Sequence, residues 1–389
     1  MNELPPQSSS PTRAEHAVLM SNYLASGEVR AKALGNRGPM RFDPNGKLHQ
    51  DILDAYWKQG FYVFEGVVDE GEISELRSGI DDMLERAPVT PDAKIDAKGR
   101  TALGRGYARE PYTFIKPLSD PWGGTDKLNG RHPTQMMQPR AEADAPEHVV
   151  FLMYSMCQSM PAGLRVYGHP QLLAAAASIN GEDFVPYNDA IFVKQPGVGG
   201  SVAWHQDGVT HWDNPEWDEG IHGFNFQVQL YSTTPANCLW VVPGTHKKGR
   251  IDIKQAIAKN NGRDTLPDAV PLLCQPGDVT AVNRQMLHGS FANTSKDVRI
   301  SLTFGFHRRK SVLGQRGALA QSEDDHYDEQ RIFDRSAVIQ VAIDARHQHF
   351  AQEVPFDYRP FRQIKDDFRF NDETFNRVIK DYNTRDLAI

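Results

Sequence analysis

The chain has no cysteine framework. Its 389 residues contain three cysteines, Cys157, Cys238 and Cys274, none of them in a C-x-x-C pair. An odd, scattered set excludes a disulfide scaffold and reads as reduced thiols in a cytoplasmic protein. An excess of positive charge is also lacking. The net charge of -7 opposes a nucleic-acid-binding role, which needs a basic surface to neutralise phosphates. Long apolar runs are missing as well: the most apolar stretch, 149–156, is too short to span a bilayer. The N-terminal sequence has no basic start followed by an apolar run, so it does not read as a signal peptide. No internal repeat is visible. What remains is the composition of a soluble globular protein whose partner is a small molecule.

Residues 1–45 are polar and rich in Pro, Ser and Gly, which predicts a mobile arm or a loosely wrapped extension. Regular structure begins with Leu48, Ile52, Leu53, Tyr56 and Trp57 on one helical face, with Gly60 as a stop. A strand at 61–68 follows, then Asp69 as the cap of a helix whose apolar face is Ile73, Leu76, Ile80 and Leu84. Residues 86–145 have little periodicity and read as a functional rim or lid. A helix with Leu172, Leu173, Ala176 and Ala177 ends near Gly181. From 184 the chain turns to short strands at 188–195, 224–231, 239–242, 279–283, 286–291 and 298–307, separated by Pro/Gly turns. That pattern predicts a sandwich or jelly roll. Beyond 311 a polar stretch precedes two helical patterns. The first carries Val338, Ile339, Ala342 and Ile343; the second carries Phe375, Val378, Ile379 and Tyr382, with Asn371 as a cap. This C-terminal extension is expected to pack on the barrel or on a second copy of the chain, making a homo-oligomer.

The chemistry concentrates in Trp-His-Gln-Asp-Gly at 204–208. In an extended chain His205 and Asp207 point to one side, so both reach a single ion. A third ligand comes from elsewhere, and His288 is the candidate. Two histidines and a carboxylate hold one face of an octahedral ion and leave the other open, the arrangement used by non-haem Fe(II) oxygenases. Ser290 lies two residues after His288, and Arg299 eleven after it. If 292–297 is a tight hairpin turn, Ser290 and Arg299 are cross-strand neighbours. In the strand at 298–307, Arg299 falls on the face opposite the apolar set. There it either suits the far carboxylate of a diacid or is an ordinary exposed strand arginine, and spacing alone does not choose between them.

Together these segments resemble the phytanoyl-CoA dioxygenase family of Fe(II)/2-oxoglutarate oxygenases. The matching stretches are 54–77, 204–208, 230–249, 276–279, 287–290 and 299–307, in the family's order. The resemblance spans roughly residues 48–310. It implies a double-stranded β-helix core, at about 184–310, inside an oxygenase domain at 46–310, with 311–389 as a helical extension. It implies Fe(II) on His205, Asp207 and His288, 2-oxoglutarate held by Arg299 and Ser290 with Gln206 beside it, and O2 as the oxidant. Hydroxylation of a small molecule, with release of succinate and CO2, follows. Because Asp207 is present, hydroxylation is favoured over halogenation, whose enzymes lack that carboxylate.

Other residues are weighed against blander roles. Lys194 ends the strand before the metal motif and either holds a carboxylate or is solvated. His211 and Trp212 line the substrate pocket or its rim. His246 is a rival third ligand to His288 but reads as a turn histidine, having no arginine at a useful offset, and His347 and His349 read as surface residues. Asp213, Glu216, Asp218 and Glu219 form an acidic loop. Two competing readings are a cupin-like metal hydrolase or isomerase that does not use 2-oxoglutarate, and a non-catalytic jelly-roll binding module.

Overall fold

Alternation of apolar and polar side chains sets up two facing sheets. The structure is a computed structural model and describes residues 10–208, 214–316 and 326–382. Twelve strands lie among them: β1 (Arg37–Pro39), β2 (Phe61–Glu65), β3 (Tyr112–Ile115), β4 (Val149–Met153), β5 (Val185–Lys194), β6 (Val202–His205), β7 (Phe224–Gln229), β8 (Trp240–Val241), β9 (Val270–Pro271), β10 (Val279–Asn283), β11 (His288–Ser290) and β12 (Arg299–His307). Eight join in the order β1-β2-β10-β7-β12-β5-β4-β3, and four in the order β6-β11-β8-β9. Every pairing is antiparallel except β1 with β2. From β5 to β12 the chain passes repeatedly between the two sheets. This is the double-stranded β-helix, or jelly roll, with helices outside it.

Period-2 alternation gives the large sheet two different faces. On β7 and β12, Phe224, Phe226, Val228, Ile300, Leu302, Phe304 and Phe306 enter the main core. Helices cover that face: Glu70–Glu85, Pro161–Tyr167, Pro170–Asn180 and Glu329–His349 contribute Ile73, Leu76, Leu164, Leu173, Val338 and Ile339 to the same cluster. The intervening residues Asn225, Gln227, Arg299 and Ser301 belong to the opposite, polar face.

Two expectations fail. The segment 292–297 is not a hairpin turn: β11 pairs with β6 and β8 in the small sheet, whereas β12 pairs with β5 and β7 in the large one. Ser290 therefore sits opposite Val202, and Arg299 opposite Lys194. Local turn residues cannot reveal that a connection crosses between sheets.

The mobile arm is also corrected in part. Arg13–Leu34 is a helix, started by a capping box in which Thr12 and Glu15 satisfy each other's backbone N–H. It buries few residues. Its docking rests on Tyr23, stacked at 4.8 Å on Trp240, and on Gly27, whose missing side chain admits the same indole. With so narrow an apolar stripe, periodicity gives no signal.

The other helices follow their local chemistry. Gln50–Gln59 ends at Gly60 in the left-handed conformation, and Asp69 caps Glu70–Glu85 by accepting from the Glu72 N–H. Glu329–His349 packs on its own chain, burying Val338, Ile339, Ala342 and Ile343. Asn371 caps the short turn at Asp372–Thr374. No described helix is long and apolar enough to cross a membrane.

Candidate metal centre

β6 and β11 are neighbours in the small sheet, and their register sets His205 directly opposite His288. Asp207 follows β6, its N–H donating to the Arg284 carbonyl at 2.8 Å. One potential ligand atom from each of His205, Asp207 and His288 lies within 4.8 Å of the other two, and all three residues are buried. Both imidazoles are oriented alike. His205 Nδ1 lies 2.8 Å from the Ala203 carbonyl, and His288 Nδ1 lies 2.8 Å from the Met286 carbonyl. A carbonyl only accepts, so each Nδ1 carries the proton and each Nε2 keeps a lone pair. Those Nε2 atoms lie 3.6 Å and 3.9 Å from the Asp207 carboxylate.

The protonation states suit a cation. Burial, reinforced by His288 and His132, holds His205 neutral well below the usual histidine range. Burial also lowers His288. For Asp207, burial alone favours the neutral acid, but the Arg131 and Arg284 guanidinium groups outweigh it and hold the carboxyl well below the usual range. Two neutral imidazoles and one carboxylate are the ready form of a metal site. Two nitrogens and one oxygen, with an open face, fit Fe(II).

The interior face of β7 links this cluster to a second polar group. Asn225 Nδ2 donates to Asp207 Oδ2 at 3.2 Å, and two residues on, Gln227 Oε1 accepts from Arg299 Nη2 at 3.1 Å. A two-residue strand step is about 7 Å. Along that face Asn225 and Gln227 thus link Asp207 to Arg299. Lys194, the register partner of Arg299, is fully buried and donates to the Phe291 carbonyl at 2.6 Å. Burial pushes both cations below their ordinary pKa. Among the described residues no carboxylate reaches ion-pair distance of either, and Arg299 Nε has no hydrogen-bond partner. Buried cations without a counter-anion are costly, and a bound dianion offsets that cost. The pocket therefore fits 2-oxoglutarate.

The pattern of the phytanoyl-CoA dioxygenase (PhyH) family matches residues 56–301. The chain belongs to the phytanoyl-CoA dioxygenase family. It is 25% identical over 268 residues to a phytanoyl-CoA dioxygenase of Arabidopsis thaliana, covering 65% of this chain and 87% of the relative. It is 32% identical over 117 residues to phytanoyl-CoA dioxygenase 1 of Oryza sativa subsp. japonica, 28% of this chain and 40% of the relative. Among solved structures it is similar to EctD from S. alaskensis with 2-oxoglutarate and 5-hydroxyectoine, at 15% identity and TM-score 0.48, over 75% of this chain and 90% of that one. This family member is an oxygenase enzyme whose cofactor chemistry is that of Fe(II), 2-oxoglutarate and O2.

The remaining residues singled out from sequence divide. Ser290 is buried on the His288 strand. Gln206, expected beside the co-substrate, has its amide engaged by backbone groups. Its amide donates to the Gly249 and Gln285 carbonyls and accepts from the Ile251 N–H, which commits it to holding neighbouring loops. Lys194 is interior, so the solvated reading fails. His211, Trp212 and Asp213 lie outside the described residues. His246 is a turn histidine: its Nε2 meets the Trp57 carbonyl at 3.0 Å, and its ring fills the space beside Gly60. His347 and His349 are exposed. In the acidic loop, Asp218 accepts two hydrogen bonds from Arg308 at 2.9 Å, so part of that charge is spoken for.

Sequence reasoning missed Arg131, His132, Asn225 and Arg284. Arg131 and His132 come from the long aperiodic segment, where nothing local distinguishes them. Arg284 had a usable signal, since it opens the turn leading to His288 and its carbonyl receives the Asp207 N–H.

Proposed function

We propose that the protein hydroxylates a small molecule at a C–H bond, with 2-oxoglutarate converted to succinate and CO2. The observation that carries this is the convergence of His205, Asp207 and His288, linked along β7 to a buried arginine that has no carboxylate partner among the described residues. We assign His205, Asp207 and His288 as the iron ligands and Arg299 as the anchor of the distal carboxylate. Lys194 supplies a second positive charge there, and Ser290 adds a hydroxyl from the His288 strand.

When bound, the iron and 2-oxo acid supply oxygen activation and oxidative decarboxylation. The chain's own part is position, charge and exclusion of water. The Ala203 and Met286 carbonyls fix the imidazoles, and Asn225 and Arg131 fix the carboxylate. The catalytic unit is assigned to residues 46–310. Three separate buried thiols support a reducing, cytoplasmic setting.

The test is turnover. Protein supplied with Fe(II), O2 and 2-oxoglutarate is screened against small acids, amines and acyl thioesters. Stoichiometric succinate together with a product heavier by one oxygen is the expected result. Product formation without succinate would refute the reading.

A further inference from the structure

The segment 116–140 contributes no strand to either sheet, yet it reaches the metal centre. Arg131 Nη1 donates to Asp207 Oδ1 at 2.8 Å. The next residue, His132, is fully buried, and its ring lies 4.2 Å from that of His205. Trp122 packs on its other side at 5.4 Å, and His205 meets His288 at 4.0 Å. Four rings thus form a continuous chain of tilted ring contacts from the loop into the metal site. Neither nitrogen of His132 has a hydrogen-bond partner in the structure. Its contribution is ring contact, not a hydrogen bond.

The loop that presents these residues is built. Asp120 accepts from the backbone N–H groups of Trp122, Gly123 and Met136, and the His132 carbonyl accepts from Gly124. Met137 is tied to Asp264 at 2.7 Å. At the turn into Arg131, Leu128 and Asn129 adopt left-handed φ of 51° and 58°. Such backbone is uncommon outside glycine and persists where surroundings over-determine it. The strain is concentrated at the step that delivers the guanidinium to Asp207.

We propose that Arg131 and His132 are positioning residues for the metal ligands. Arg131 holds one oxygen of Asp207 while Asn225 holds the other. A carboxylate has about four acceptor sites, so both bonds leave lone pairs for a metal. His132 holds the His205 ring in place by tilted ring contact. The inference rests on the metal-site reading above and adds an outer layer drawn from the chain's most irregular segment. Outer partners of this kind tune affinity and geometry together.

The test uses full-length protein and Co(II), whose visible spectrum reports ligand geometry. Arg131→Gln is expected to weaken Co(II) binding about 10- to 100-fold and to shift the spectrum, with Arg131→Lys recovering part of both. His132→Ala is expected to weaken binding, whereas His132→Phe, which keeps the ring contact, stays near wild type. Should Arg131→Gln lose its fold by circular dichroism, Arg131→Lys decides: unaltered affinity and spectrum would overturn the proposal. Unaltered binding in a folded Arg131→Gln overturns it too, leaving the metal site intact. Absence of Co(II) binding in wild type would remove the metal-site reading and this inference with it.

Discussion

At the residue scale, function turns on charge placed where water cannot screen it. Asp207 is the proposed ligand carboxylate, so Asp207→Ala should lose iron at stoichiometric loading and abolish succinate formation, measured by metal analysis and product assay. Arg299→Ala should behave differently. Truncating one partner of a buried, hydrogen-bonded charge pair costs about 2–5 kcal/mol. The dissociation constant for 2-oxoglutarate should therefore rise about 30-fold or more, while iron loading stays unchanged. Calorimetry on anaerobic protein separates the two. The convergence of His205, Asp207 and His288 was legible in the sequence, because His-x-Asp in an extended chain has a fixed geometric meaning and His288 heads a second strand. Gln206 was misread for an instructive reason. Its neighbours in sequence are ligands, but its own amide is saturated by the Gly249, Ile251 and Gln285 backbones. Adjacency in sequence does not show which way a side chain turns.

At the element scale, strong periodicity was readable and weak periodicity was not. Glu70–Glu85 has an amphipathic face and a capping aspartate, so its place was evident. Arg13–Leu34 has neither a wide apolar stripe nor more than three buried residues, and polar composition pointed to a mobile arm. Its docking depends on a tertiary fit: a Cβ added at Gly27 would collide with the Trp240 ring. Gly27→Val is expected to undock the helix at a cost of about 1–3 kcal/mol, seen as protease cleavage within 13–34. The helix Glu329–His349 is tied down more firmly. Arg346 donates to Glu72 at 2.6 Å and to Glu353 at 2.6 Å and 2.8 Å, and Glu72 is only 4% exposed. Arg346→Ala strands a buried carboxylate, and a loss of about 3–5 kcal/mol in denaturant unfolding is the expected outcome. The misjudged hairpin at 292–297 belongs to this scale too. A jelly roll moves between sheets at connections that look locally like tight turns.

At the scale of the whole molecule, two sheets enclose a polar interior, and one covered face carries most of the apolar core. That layering was visible from strand alternation, whereas the contribution of 86–145 was not, because its residues matter through where the loop lands. Stability should depend on pH with a definite sign. His169, far from the site in sequence and buried, is lowered by burial from 6.5 to about 3. Its unfolded form takes up a proton below 6.5 while the folded form stays neutral, so stability is lost as pH falls from there toward 3. Between pH 6.5 and 5.5 this group alone should cost about 1 kcal/mol. His169→Phe should flatten the dependence of Tm on pH over that interval.

The central claim is that iron on His205, Asp207 and His288 shares a diacid with Arg299. Titration of 2-oxoglutarate into anaerobic Fe(II) protein, followed in the visible, tests it without knowledge of the substrate. The expected result is a metal-to-ligand charge-transfer band in wild type that needs far more 2-oxoglutarate in Arg299→Ala. Protein that holds its iron but develops no band at saturating 2-oxoglutarate would contradict it.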